Sequence, residues 1–481
     1  MTLVDAATDG RSLARHEGEV IFVEGGVPGD VADVHVFGKQ KKVMVGRIER
    51  LITPSKDRTE PRCDHFDQCA GCKWQQMSYE AQTRFKEKQV KDTLHRIGKV
   101  QIKEFLPILG CDQVFEYRNK LELSFSVAPW LTAREKELDA RPDNRVLGFH
   151  APRFFDKVLN IEQCHLQIDL HNQIRNELRR FAREKDIPFY NIREHTGFLR
   201  TLTMRTSLHN HEFMVILVVA EDDPNRIDEI FSHLSEQFPD ITSFVWVHNQ
   251  KLNSSYNDLP YRVWSGPAFL TEQLGGYDFR IRPISFFQTN PKQAEALYGV
   301  VRSFLQETLP AETDQHSVLY DLYSGTGSIG IFVEKLAQKI VGIEYVDSAV
   351  KDAWENVRIN QLDESRFSFY AGDMRKILVP ELVQKEGKPD VIIADPPRQG
   401  MDAKVVDRIL DIGPEHIIYV SCKPATQARD LNLMDRFYEV LKCQPVDMFP
   451  HTAHVENVVL LRKRVEPLPE PEVEATVEDP K

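Results

Sequence analysis

The sequence has no run of eighteen apolar residues, so no stretch of it reads as a membrane-spanning helix. The opening MTLVDAATDGRS has neither the basic flank nor the apolar core of a signal peptide, and a cytoplasmic address is expected. Cysteine is scarce, with 7 in 481 residues. The odd count in a chain without a leader argues against a disulfide framework and for reduced thiols with metal or catalytic roles. An excess of positive charge is also lacking. The net charge of −12 at first disfavours a nucleic-acid partner. No internal repeat is visible. What remains, 41% hydrophobic and 28% charged residues, is the composition of a globular protein. The length exceeds one ordinary core and implies two to four domains.

The charge is unevenly distributed. From 465 to 481 there are six acids and one base, in a Pro/Glu-rich tail expected to be disordered. From 39 to 62 there are eight bases and three acids. A local basic patch steers phosphates whatever the global charge.

Four regions follow from the patterning. Residues 1–60 read as short strands at 20–24, 31–37 and 43–52, punctuated by glycines and Pro28-Gly29, which suggests a small antiparallel barrel. A cysteine-rich loop at 61–77 leads into a basic helix at 78–97. Residues up to 275 are a mixed α/β region with a helix at 170–185. From 276 to 464 strands and helices alternate: strands at 318–322, 340–344, 367–370, 390–394, 416–421 and 455–461, a helix from the glycine turn through Gln338, and another at 348–360. Such alternation predicts a parallel, doubly wound Rossmann-like α/β sheet.

Gly325, Gly327 and Gly330 are spaced G-x-G-x-x-G between a strand and a helix, and Glu344 ends the next strand nineteen residues on. Taken alone, the motif fits NAD or S-adenosylmethionine equally well. Two features favour the latter. Asp321 stands at the strand end, where a carboxylate repels a pyrophosphate but suits a sulfonium and an ammonium group. Asp395, in Asp395-Pro396-Pro397-Arg398, also sits at the carboxyl end of a strand, where ligands bind in such sheets. Singly, each acid would be an ordinary strand-end residue. As a constellation, Glu344, Asp373 and Asp395 are candidates for cofactor or substrate contact.

Cys422, in Val420-Ser421-Cys422-Lys423-Pro424, follows another apolar strand and faces the same crevice. The adjacent Lys423 and a helix starting near Pro424 are expected to lower its pKa. A thiolate there has a use. Carbon 5 of uracil is a poor nucleophile, and thiolate addition at carbon 6 turns it into an enolate carbon. Glu456 opens the last strand and is the candidate base.

Cys63, Cys69 and Cys72 are spaced C-x5-C-x2-C in one loop, a metal-binding pattern. Cys164, Cys111 and His65 are candidates for a fourth ligand. Four thiolates suit zinc or a [4Fe–4S] cluster, and spacing does not decide. The C-x3-C-x2-C of radical S-adenosylmethionine enzymes is absent.

Phe286-Phe287-Gln288-Thr289-Asn290, the glycine turn from Asp321, Asp395-Pro-Pro-Arg398, Ser421-Cys422-Lys-Pro424 and His454-Val-Glu456 together resemble the RNA uracil-5-methyltransferase family. The branch is the one with an N-terminal TRAM module and a [4Fe–4S] cluster. The resemblance spans nearly the whole chain and is faintest over 125–270. It implies that Cys63, Cys69, Cys72 and Cys164 hold the cluster. It implies that Gln288, Tyr323, Ser328, Glu344, Asp373 and Asp395 bind S-adenosylmethionine, that Cys422 is the nucleophile and that Glu456 is the base. Residues 10–52 would be the RNA-binding barrel.

Two departures stand out: Lys423 replaces the asparagine usual in that motif, and the module lacks the first glycine often seen at its start. The implied substrate is a uridine of RNA, 23S ribosomal RNA ahead of transfer RNA, and the implied enzyme is a monomer. An NAD-dependent oxidoreductase, a non-catalytic RNA-binding factor and a methyltransferase acting on an exocyclic nitrogen are the rival readings.

Overall fold

The computed structural model describes residues 1–40, 43–136, 143–309 and 317–469. Lys41 and Lys42 of the basic stretch, and residues 470–481 of the acidic tail, lie outside the described residues.

The N-terminal strands are β1 (Leu3–Ala6), β2 (Ser12–His16), β3 (Glu19–Glu24), β4 (Val31–Gln40) and β5 (Val43–Thr53). They form one sheet in the order β1-β2-β3-β5-β4, antiparallel except for β3 with β5. The Leu3 amide donates to Asp30 O at 2.9 Å and the Gly29 amide to Leu3 O at 2.7 Å, so the two edges of the sheet meet. Inward alternation buries Leu3, Ala14, Ile21 and Val23.

Helix α1 (Tyr79–Thr93) starts where the Ser78 side chain accepts from the Ala81 amide. It runs into a π-helical turn, Leu94–Gly98, and then strand β6 (Ile102–Phe105). A second sheet holds β7 (Lys120–Ser126), β8 (Val146–His150), β9 (Val158–Asn160), β10 (Leu199–Thr206), β11 (Phe213–Val219), β12 (Ser243–His248) and β13 (Tyr261–Ser265), in the order β13-β12-β11-β10-β7-β8-β9. Its helices are the short α2 (Ala133–Lys136), α3 (Asp169–Glu184) and α4 (Pro224–Gln237). Every residue of β11 is buried: Phe213, Val215, Leu217 and Val219 face α3 and α4, while Met214, Ile216 and Val218 enter a smaller cluster on the other side. A hairpin of β14 (Leu270–Leu274) and β15 (Tyr277–Ile281) turns at Gly275 and Gly276, both at positive φ. A Cβ on Gly275 would stand 2.4 Å from the Phe332 ring, so glycine is required there.

The C-terminal part begins with α5 (Pro291–Thr308). It continues through β16 (Val318–Leu322), α6 (Ser328–Phe332), β17 (Lys339–Glu344), α7 (Asp347–Ile359), β18 (Phe367–Ala371), α8 (Met374–Ile377) and α9 (Pro380–Glu386). It ends with β19 (Val391–Ala394), α10 (Ala403–Ile412), β20 (His416–Ser421), α11 (Pro424–Met434), β21 (Tyr438–Val446) and β22 (Glu456–Lys463). The sheet order is β18-β17-β16-β19-β20-β22-β21-β6. Leu297, Val301, Phe304 and Val357 pack on one face, and Val90, Leu94, Val405, Ile409 and Leu431 on the other.

The structure corrects three expectations here. The sheet is mixed, not wholly parallel: β22 runs antiparallel to both β20 and β21. The link from Val446 to Glu456 carries no helix, so the chain reverses instead of crossing over. The helix after the glycine turn stops at Phe332 and gives way to a 3-10 turn, Glu334–Leu336. There Glu334 accepts from Tyr277 and Arg366 at 2.9 and 2.7 Å instead of continuing the helix. Finally, α1 and β6, placed by sequence in the central region, pack on and extend the C-terminal sheet, β6 lying parallel to β21.

Candidate active site and a cysteine-lined cavity

The carboxyl ends of β16, β17, β19 and β20 converge on one crevice. After β16 the chain turns sharply: Tyr323, Gly325 and Gly327 all have φ between 54° and 76°. Left-handed backbone at a tyrosine is rare and is held here by the Tyr323 and Ser324 amides, both donating to Ile343 O. The Gly330 amide donates to Asp321 Oδ2 at 3.0 Å, and a Cβ on Gly330 would crowd that oxygen. The other Asp321 oxygen is buried without a partner. Glu344 accepts from the Gly325 amide at 3.0 Å and the Val346 amide at 2.9 Å, which ties β17 to the turn. Ser328 and Tyr298 share a hydrogen bond of 3.0 Å, and Gln288 is nearly buried beside Tyr298.

These residues crowd carboxyl groups into a poorly solvated space. Burial, then the neighbouring Asp395 and Glu344, pushes Asp321 up to about 7. Desolvation alone pushes Asp395, which is ringed by protein atoms yet open to the crevice, up to about 7. Burial, then Asp395, pushes Glu456 up to about 8. Such a site disfavours a pyrophosphate and favours a cation. Asp373 is different. It pairs with Arg375 at 2.7 Å and caps α8, so its carboxylate is already engaged and its pKa is lowered to about 2.

Cys422 directly follows β20 and feels Glu456, Asp395 and Arg398. The expectation of a lowered thiol pKa is overturned. Burial, then the charges of Glu456 and Asp395, pushes the thiol up to about 11. Lys423 is exposed and does not offset this; Arg398 is the cation that does. Glu456 forms no side-chain hydrogen bond or ion pair among the described residues, so its place is set by its backbone.

Beside this crevice lies a cavity of about 560 Å³. Its lining includes Cys63, Cys69, Cys72 and Cys164 together with Arg398, Phe449 and His454. Burial, and then the mutual repulsion of their charges, pushes Cys69 up to about 11 and Cys72 to about 12, so the thiols are close neighbours. Of the other candidate ligands, His65 Nε2 accepts from the Glu162 amide at 3.0 Å, and Cys111 sits apart beside Asn290. Among the described residues, no group of three or more His, Cys, Asp or Glu side chains is arranged to hold a single metal ion.

Arg118, Lys120 and Arg205 line the same cavity. Lys120 and Arg205 are directly opposite on β7 and β10, an unfavourable like-charge pair. Among the described residues none of the three pairs with a carboxylate, and Arg205 Nε is buried without a partner. Burial, then Arg205, pulls Lys120 down to about 8. These three cations do not stand out in the sequence, whereas Arg398 and the exposed Phe286 appear there only as members of motifs, with no role of their own. Arg118 and Lys120 sit in an unremarkable Tyr117-Arg-Asn-Lys120, and the only signal for Arg398 is its place after Asp395.

A family profile described as tRNA (Uracil-5-)-methyltransferase matches residues 276–464. The chain is 45% identical over 462 residues to an uncharacterized RNA methyltransferase of Bacteroides thetaiotaomicron, covering 95% of this chain and 100% of that one. A second such protein, from Porphyromonas gingivalis, is 44% identical, covering 97% and 100%. Among solved structures, the Pyrococcus abyssi tRNA (uracil-54, C5)-methyltransferase in complex with S-adenosyl-L-homocysteine superposes with a TM-score of 0.72 at 28% identity, over 96% of this chain and 99% of that chain.

Proposed function

Because the chain belongs to the tRNA (uracil-5-)-methyltransferase family of RNA methyltransferases, we propose that it methylates carbon 5 of a uridine in RNA through a covalent adduct at Cys422. The observation that carries this reading is the meeting of Cys422, Glu456, Asp395 and Arg398 at one crevice. S-adenosylmethionine supplies an electrophilic methyl group on a positively charged sulfur. Asp321, Glu344, Tyr323, Gln288, Ser328 and Asp395 surround the space it would fill; Asp373, bound to Arg375, would reach it only by releasing that partner.

Cys422 must act as a thiolate, and its high pKa works against that. Arg398 lowers it, and a cation bound in the crevice would lower it further. Attack by the Cys422 sulfur on carbon 6 makes carbon 5 nucleophilic; carbon 5 would then take the methyl group as the bond between methyl and sulfonium breaks and its electron pair stays on that sulfur, so that the ring carries both the new methyl group and the original hydrogen. Glu456, once ionised, accepts that proton, and the electron pair left behind expels the sulfur. A flipped uridine between Cys422 and the cofactor is the geometry this needs.

Cys63, Cys69, Cys72 and Cys164 would hold a [4Fe–4S] cluster. A cluster attaches each thiolate to a different iron and so needs a wider ring of ligands than one ion. The support for this reading is that all four thiols line one cavity. The N-terminal sheet, with Phe37 exposed on the same strand as Lys39 and Arg47 exposed on the neighbouring strand β5, is read as the RNA-binding barrel, and Arg118, Lys120 and Arg205 as phosphate contacts.

The substrate put forward is 23S ribosomal RNA; the likeness to the P. abyssi tRNA enzyme favours transfer RNA as a second reading. The test is RNA labelled with tritium at carbon 5 of uridine. Release of tritium, dependent on S-adenosylmethionine and equal to the methyl groups gained, is expected. Methylation without tritium release would move the reaction to another atom. Mapping 5-methyluridine in ribosomal and transfer RNA of cells lacking the protein decides the substrate.

A further inference from the structure

Glu456 is enclosed, yet nothing bonds to its carboxyl group among the described residues. Its backbone is held on one side by the ladder of β22, where Glu456 stands opposite Val446 of β21, and is fed on the other by the link from Asp447 to Val455, which is gripped from outside the catalytic sheet. His451 sits at its apex with φ of 65°, a left-handed backbone that needs external support. The amides of Lys73 and Trp74, the two residues after Cys72, both donate to His451 O, at 2.8 and 3.0 Å. Gln82 of α1, fully buried, accepts from the His451 amide at 2.8 Å, and its Nε2 meets His451 Nδ1 at 3.2 Å. The same Nε2 donates to Trp74 O and Met77 O, at 2.9 and 2.8 Å. Tyr117 donates to Pro450 O at 3.1 Å, and Lys86 to Phe449 O at 3.0 Å.

We infer that the end of the cysteine loop and Gln82 form a clamp on His451 that positions Glu456 for its proton-removal step. The inference rests on the reading of Glu456 as the base. It gives the cysteine loop a mechanical role, because whatever fixes Cys72 also fixes Lys73 and Trp74, and through them the link that ends at the base. Gln82 and His451 are positioning residues; neither needs to touch RNA. Loosening the clamp leaves Cys422 and the cofactor residues in place, because they hang from other strands. The step that suffers is the last one, after the adduct has formed.

The experiment compares wild type, Gln82→Leu, Gln82→Glu and Glu456→Gln in single turnovers with S-adenosylmethionine and labelled RNA. Covalent protein–RNA adduct and released methylated RNA are counted separately. Gln82→Leu should bind S-adenosylmethionine and RNA as wild type does, lower kcat by about tenfold or more with KM unchanged, and raise the ratio of adduct to product. Gln82→Glu keeps the acceptor for the His451 amide and should fall between. Amide hydrogen exchange supplies a readout independent of turnover. Residues 451–456 should exchange faster in both Gln82 variants, while β16 and β17 stay protected. Adduct and product falling in equal proportion, or unchanged exchange at 451–456, would overturn the clamp. If Gln82→Leu does not fold, Gln82→Glu gives the same readings. Failure of Glu456→Gln to accumulate adduct sinks the base assignment instead, and the exchange data still report on the clamp.

Discussion

Lys86 of α1 donates to Asp447 at 2.6 Å, with both side chains wholly enclosed and 361 residues apart in sequence. The pair joins the helix after the cysteine loop to the start of the link that ends at Glu456. Asp447 also accepts from the Phe449 amide at 3.0 Å, while its second oxygen has no partner. Removing one partner of such a pair strands the other charge. Lys86→Met should therefore lose about 3–5 kcal/mol of stability. Lys86→Met with Asp447→Asn should recover much of it, because the amide still accepts from Phe449. Urea unfolding of the three proteins measures this, and equal stability of the single and double variants would show the pair to be irrelevant.

The carboxyls of the crevice make stability depend on pH. Asp395 lies at about 7 in the folded protein, above its ordinary value, so the fold favours the protonated form. That contribution is complete below about pH 4 and is lost as pH rises through 7. Apo wild type should thus weaken between pH 4 and 8, and Asp395→Asn should weaken less. At pH 8 the variant should be more stable by on the order of 1 kcal/mol, with little difference at pH 4. Thermal scans across this range test it; parallel curves would mean that Asp395 is ionised throughout.

Lys120→Gln should weaken RNA binding and flatten its salt dependence, by about 0.7–0.9 in the log–log slope if one phosphate contact is lost. Affinity for S-adenosylmethionine should not change, since that crevice is built from other strands. An unchanged salt slope would remove Lys120 from the RNA path.

Protein purified without chelators should be brown and contain iron, and Cys69→Ala should lose both the colour and much of the soluble yield. Colourless wild type with stoichiometric zinc would contradict the cluster.

Much of the C-terminal sheet was legible in the sequence because its strands are short apolar runs ending in glycine or an acid. Strands 318–322 and 416–421 match β16 and β20 residue for residue. β21 was not legible: Tyr438–Val446 mixes charged and apolar residues without clean alternation, lying between β22 and the sequence-distant β6. The same holds for β6, whose only partner lies more than 330 residues away. At the site, Cys422 and Glu456 were visible as motif residues, but the thiol's raised pKa was not. It depends on Glu456 and Asp395 arriving from β22 and β19, whereas sequence offered only the neighbouring Lys423. Arg118, Lys120 and Arg205 become a cluster only when β7 and β10 pair.

The central claim is the covalent mechanism, and the most direct measurement is a denaturing gel of protein incubated with RNA and S-adenosylmethionine. Cys422→Ala should form no denaturant-resistant complex and no methylated RNA, because carbon 6 is never attacked. Glu456→Gln should form the complex and keep it, because glutamine matches the shape of the base but cannot take the carbon 5 proton. The band should carry the methyl label and require S-adenosylmethionine. Methylation by Cys422→Ala, or wild-type turnover by Glu456→Gln without a trapped band, would contradict the account.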